Sequence, residues 1–456
     1  MKYCSTRGGV SGIGFKESLL MGLGSDGGLL VPESIPDVTA QLSEWRTLDF
    51  VALAKQVIGL FVDDIDKQTL SRLIDKAYSS FDHPQVVPIR EIGDLTLVEL
   101  FHGPTLAFKD IALQLLGQLF EHTLAQDNRH LNILGATSGD TGSAAIAGVR
   151  GQANIDIFIL YPNDKVSHLQ ELQMTTVPDA NVHCIAVNGS FDDCQGLMKS
   201  IFADLEFKAA HSLGAVNSVN WARVLAQVVY YAYVSLKFEQ PVSFCVPTGN
   251  FGNVFAGYLA RKMGFPIADL VVATNENDIL SRFFATGEYA RGDVHFTLSP
   301  AMDIQVASNF ERFIYYYFEG DTDRLNAFMD EFHTTGKADL GSAPDDAGFL
   351  ATSVTSEETL ETLKQTYAEA GYILDPHTAV AVAGSRKCHP SGEKVCIATA
   401  HPAKFPEAVQ QALPGEEPTH ERLEVLKGLA ERKVVIEPTI EAVKAEIERQ
   451  GQTGGH

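Results

Sequence analysis

The chain has 456 residues, 45% of them apolar, a formal net charge of -23 and six cysteines. At about 100–200 residues per domain this length suggests two to four domains, and the acidic field argues against nucleic acid or an anionic membrane as partner because it repels phosphates. Cys4, Cys184, Cys194, Cys245, Cys388 and Cys396 show no metal-ligand or C-x-x-C spacing, and no segment offers the ~20 apolar residues that span a bilayer, so a soluble cytoplasmic protein with reduced thiols and no metal is expected.

Residues 1–90 carry helical periodicity at Phe50 to Val62 and Lys67 to Tyr78 with few strand signals, and are read as a helical N-terminal domain that closes near His83-Pro84. From 91 to 430 short β-rich runs alternate with helices. The strands are expected at Leu95 to Leu100, Leu131 to Ala136, Asp156 to Tyr161, Val182 to Val187, Val242 to Pro247, Leu270 to Ala273 and Val395 to Ala398. This alternation is the signature of βαβ units and mostly parallel sheets, an α/β core. Two subdomains are expected within it, the smaller at 130–230. Between 300 and 370 the chain turns acidic and helical, with helices at Asn309 to Glu319, Asp323 to Phe332 and Glu357 to Ala370, and is read as a helical insertion. Residues 431–456 are read as a C-terminal helix and tail.

In an α/β sheet chemistry gathers where strands end and helices begin. Lys109, in His102-Gly103-Pro104-Thr105-Leu106-Ala107-Phe108-Lys109-Asp110, opens an apolar helix after a strand. Burial and the positive end of the helix dipole favour a neutral amine there, able to form a Schiff base with a carbonyl cofactor, although a lone lysine more often snorkels at a helix edge. Gly135 to Gly142 offers hydroxyls and N–H groups to a carboxylate or phosphate, or is an ordinary capped turn. Pro247-Thr248-Gly249-Asn250-Phe251-Gly252-Asn253 lets N–H groups converge on a phosphate, yet is neither a Walker loop nor a G-x-G-x-x-G fingerprint. Asn217, Ser218 and Arg223 offer neutral donors and a charged fork to a second anion, or cap and decorate a helix. Thr399 and His401 end the last strand, a position where a lone histidine is more often structural.

On these motifs the chain resembles threonine synthase of the longer form found in many bacteria and fungi. The likeness also includes Lys2-Tyr3-Cys4-Ser5-Thr6-Arg7-Gly8, Ser25 to Glu33 and Thr399 to Phe405. The resemblance implies a fold-type II pyridoxal phosphate enzyme, similar to the tryptophan synthase β chain. The implied activity is that of a carbon–oxygen lyase converting O-phospho-L-homoserine and water to L-threonine and phosphate, by γ-elimination followed by β-addition of water.

By position it implies Lys109 as the Schiff-base lysine, Gly249, Asn250, Phe251, Gly252 and Asn253 as the cofactor-phosphate loop, and Thr399 facing the pyridine nitrogen. Thr137, Ser138 and Thr141 resemble the turn that receives the substrate carboxylate. Asn217, Ser218 and Arg223, with Lys165, resemble the substrate-phosphate group. Asp140 stands near the cofactor where shorter relatives have asparagine, and a carboxylate there would be repulsive unless protonated or turned away. A monomer or homodimer is expected. A dehydratase or β-replacement enzyme of the same fold, and a non-catalytic binding protein, are the alternatives.

Overall fold

Runs that are apolar at every position build strands covered on both faces, the condition of a parallel sheet. In the computed structural model, which describes residues 1–216, 218–344 and 348–451, Val242–Pro247 and Ile155–Pro162 are buried along their whole length. They lie in different sheets, and the chain divides into two compact units. One comprises Met1–Ser71, Phe81–His102 and Ser218–Pro418, the other Arg72–Ser80, Gly103–Asn217 and Thr419–His456.

The larger unit holds a six-stranded sheet in the order Phe349–Ser353, Ile267–Thr274, Val242–Pro247, Glu393–Ala398, Leu95–Glu99, Ile89–Ile92. Every neighbouring pair is parallel except the last, an antiparallel hairpin. Leu97, Cys245, Val271, Val382 and Cys396 belong to its core. The helix Pro376–Cys388 supplies Val382; Asp375 caps it by accepting from His377 N at 2.9 Å and Thr378 N at 3.3 Å. The smaller unit is a sheet of five parallel strands, in the order Val434–Ile436, Val182–Val187, Ile155–Pro162, Leu131–Ala136, Leu213–Gly214.

Three stretches differ from the sequence expectation. Residues 1–90 are not wholly helical, because Tyr3–Ser5 pairs antiparallel with Leu30–Pro32 and Ile89–Ile92 joins the large sheet. The region 300–370 contains the helices Phe310–Tyr317, Thr322–Thr335 and Ser356–Ala370, but Phe349–Ser353 is an edge strand of the six-stranded sheet rather than inserted material. With one neighbour and half-buried residues, that strand lacks the apolar run that marks an inner strand. Beyond 430, Val434–Ile436 completes the edge of the smaller sheet before the helix Ile440–Gln450. Among the described residues, no helix is long and apolar enough to cross a membrane.

Candidate active site

In the smaller unit the chain enters the helix Lys109–Gln126 through a loop stapled to the helix start. Asp110, wholly buried, accepts from Thr105 N at 2.8 Å and Thr105 Oγ1 at 2.7 Å. Lys109 Nζ lies 3.9 Å from Asp140 Oδ2 and 5.7 Å from the centre of the Phe108 ring. The sequence reading set this amine at a buried helix start and Asp140 near the cofactor; the fold brings that carboxylate beside the amine itself. Asp140 opens the helix Asp140–Val149, and Gln170 Nε2 donates to its Oδ1 at 2.8 Å. Each carboxylate oxygen therefore faces a donor.

Two glycines set that spacing. Gly117 lies eight residues after Lys109 and Gly148 eight after Asp140, about two turns along each helix. A Cβ on Gly117 would fall on the Gly148 carbonyl, and one on Gly148 on the Leu113 carbonyl. The helices touch main chain to main chain, which no larger residue permits.

The turn before Asp140 is held by Thr137, whose Oγ1 accepts from Gly139 N at 3.0 Å and Gly142 N at 2.9 Å. Thr137 thus spends its oxygen inside the turn, while Ser138 is exposed, Thr141 half-buried and the helix start without a side-chain cap. Gly139 takes a φ of 152°, which suits glycine. Lys165 is exposed in the loop after Ile155–Pro162, the parallel neighbour of Leu131–Ala136, and so stands at the same sheet edge as this turn.

In the larger unit, the parallel strands Val242–Pro247 and Glu393–Ala398 carry Gly249 to Asn253 and Thr399 to one edge. Phe251 adopts a left-handed φ of 65° directly before the helix Gly252–Lys262, whose start has no side-chain cap. Its ring packs against Phe284, Phe310, Phe313 and Phe349. Asn250 is exposed. Asn253 Oδ1 accepts from Tyr230 Oη at 2.6 Å and Tyr231 Oη at 2.7 Å, leaving its buried Nδ2 without a partner among the described residues. Thr399 N–H donates to Thr378 Oγ1 at 3.2 Å.

Arg223, in the first turn of the helix Trp221–Ser235, is 5% exposed, and its Nε and Nη1 have no partner among the described residues. Burial pushes its guanidinium down to about 10. An unpaired cation buried in this way is expensive, and an anionic ligand would relieve it. Ser218 is half-buried; Asn217 lies outside the described residues. His401 caps the next turn by accepting from Ala403 N at 3.2 Å, the structural role. At the end of Leu95–Glu99, burial alone would raise the Glu99 carboxyl, but contacts from His102 Nε2 and Tyr372 Oη, both at 2.8 Å, hold it below the usual range.

Family models described as threonine synthase N terminus, pyridoxal-phosphate dependent enzyme, and threonine synthase C-terminal match residues 2–78, 90–400 and 378–447. A threonine synthase of Pseudomonas aeruginosa is 44% identical, covering 100% of this chain and 99% of the relative. The chain belongs to the threonine synthase family. A threonine synthase of Schizosaccharomyces pombe is 45% identical over 91% of this chain and 89% of its own length. The crystal structure of pyridoxal-phosphate-bound threonine synthase from Brucella melitensis superposes with a TM-score of 0.96 at 42% identity, covering 99% of this chain and all of that one. The fold is thus that of the pyridoxal-phosphate-dependent type II enzymes, as the resemblance implied.

Family membership leaves several neighbours of the expected residues unannounced in the sequence. Gln170, Tyr230 and Tyr231 hydrogen-bond to Asp140 and Asn253. Ser167 accepting from Gln170 N at 3.4 Å, as the cap of the helix His168–Thr175, is the one local signal near Gln170. The tyrosines read only as part of an apolar helix.

Proposed function

We propose that the chain converts O-phospho-L-homoserine and water to L-threonine and phosphate with pyridoxal phosphate, Lys109 being the residue that joins the cofactor covalently. The residues present fit this cofactor: the uncapped start of Gly252–Lys262 and the Asn253 Nδ2, unpartnered among the described residues, are donors wanting an acceptor, as a phosphate monoester provides. Gly249, Asn250, Phe251, Gly252 and Asn253 would hold that phosphate, and the Thr399 hydroxyl the ring nitrogen. Bound, the cofactor supplies an electron sink that makes protons near the substrate amine removable.

The chain's own groups do the rest. The Lys109 amine, once displaced by the substrate amine, removes the α-proton and then a β-proton as general base. Asp140, turned toward Lys109 and Gln170, is kept from repelling the substrate carboxylate. Ser138, Thr141 and the N–H groups of the uncapped helix start bind that carboxylate, with Thr137 shaping the turn. Arg223 and Ser218, with Asn217 and Lys165, bind the substrate phosphoryl group and stabilise the charge that grows as the C–O bond breaks. The reading also places the enzyme in the cytoplasm, as a monomer or homodimer.

The observation that carries the phosphorylated substrate is the buried Arg223 guanidinium with two nitrogens unpartnered among the described residues. The test is a visible spectrum of the purified protein, followed by phosphate and threonine measurements with O-phospho-L-homoserine, for wild type and Lys109→Ala. Equimolar products and a cofactor absorption band lost in the variant support the reading. A band without threonine moves the substrate to a relative, such as a dehydratase.

A further inference from the structure

The stretch after Met302 carries no motif in the sequence reading, yet its Ser308 meets two of the segments assigned above. Within the larger unit, Ser308 Oγ lies 2.9 Å from Ser218 Oγ and 3.4 Å from Asn250 Oδ1. The backbone on either side is pinned: Ala307 N–H donates to Tyr289 Oη at 2.9 Å and Asn309 N–H to Asn250 O at 3.0 Å. Asn309 Nδ2, in a wholly buried side chain, donates to Ser218 O at 3.0 Å. Arg312, equally buried, donates from Nη1 to Asn309 Oδ1 at 2.5 Å and from Nη2 to Val219 O at 2.6 Å. Three segments distant in sequence are thereby fixed around one pair of hydroxyls.

Two hydroxyls at 2.9 Å share one of their two protons. When Ser218 donates to Ser308, the Ser308 proton has, among the described residues, only Asn250 Oδ1 as acceptor, at a distance where a hydrogen bond is weak. A charged phosphoryl oxygen is a stronger acceptor and would take it. We propose that Ser308 is a further binding residue, donating to the phosphoryl group of the substrate beside Ser218. This rests on the assignment of Ser218 above. Asn309 and Arg312 are positioning residues for it.

The cofactor also carries a phosphate monoester, so the test separates the two. Ser308→Ala and Ser308→Thr holoenzymes are compared with wild type in KM and kcat for O-phospho-L-homoserine, in calorimetric affinity for inorganic phosphate, and in affinity for pyridoxal phosphate by absorbance titration. Losing one hydrogen bond to a charged group predicts, for Ser308→Ala, a rise of about tenfold or more in KM and in the phosphate dissociation constant. The cofactor affinity is expected to be unchanged, the loss of kcat smaller than the rise in KM, and threonine is expected to restore binding. Unchanged KM and phosphate affinity would overturn the proposal, and so would weakened cofactor binding with phosphate affinity intact. A wild type that binds phosphate without turning over O-phosphohomoserine would sink the proposed function, while the phosphate arm would still decide for or against Ser308.

Discussion

Replacing Gly117 by alanine tests whether the glycine crossing sets the distance between Lys109 and Asp140. Helix propensity alone favours alanine by about 1 kcal/mol. Against this, the new methyl group meets the Gly148 carbonyl, which is main chain and does not swing aside. A Cβ placed 1.8 Å from that oxygen reaches an ordinary contact only if the helices move apart by about 1.5 Å, and overpacking of this kind costs about 1–3 kcal/mol or more, so the net destabilisation is roughly 0–2 kcal/mol or more. The larger effect falls on activity. The 3.9 Å approach of Lys109 to Asp140 opens, and a misplacement of about 1 Å costs up to about 100-fold in rate. Phosphate release kinetics and thermal melts of Gly117→Ala are expected to show kcat/KM down by about 10- to 100-fold with Tm lowered by a few degrees at most. Gly196→Ala is the control: nothing lies within 4 Å of its Cβ position in the helix Phe191–Ala203, so activity stays at wild-type level and stability is equal or slightly higher. A Gly117→Ala enzyme with wild-type kcat/KM and a raised Tm would refute the reasoning.

Arg223→Leu is expected to raise KM for O-phospho-L-homoserine by 100-fold or more and abolish thermal stabilisation by inorganic phosphate. It should also raise the Tm of the phosphate-free protein, because replacing an uncompensated buried charge by an apolar group is worth about 1–4 kcal/mol; a lowered Tm would show that the guanidinium is compensated. Gln170→Leu removes the donor to Asp140 Oδ1 and should shift the pH profile of kcat while leaving the melt within about 2 kcal/mol of wild type. An unshifted profile would confine Gln170 to packing. Glu99, held below the ordinary carboxyl range, contributes stability that is complete above its unfolded value and lost as pH falls through the folded one. Acid unfolding followed by circular dichroism should therefore be less steep in Glu99→Gln below about pH 4, and superimposable curves would count against the linkage.

Elements whose causes are local are legible in the order of residues alone. Val242–Pro247, Leu131–Ala136 and Val182–Val187 lie where their apolar runs place them, and the strand-to-helix junctions at Lys109, Asp140 and Gly252 follow from turn chemistry and helix starts. Local pattern failed where burial erased periodicity or an edge blurred it. Pro376–Cys388 is buried without a break from Pro376 to Ser385 and has no polar stripe to reveal a helix, while the edge strand Phe349–Ser353 has no run of buried residues.

The partners of these elements come from packing between distant segments. Gln170 reaches Asp140 across 30 residues, Ser308 reaches Ser218 across 90, and Arg312 reaches Val219 across 93. Such pairs depend on strand order and helix crossing, which no window of the chain encodes. A lysine at a helix start is legible as a residue type in a setting, but the carboxylate beside it exists because two glycines eight residues further along their helices let the backbones touch.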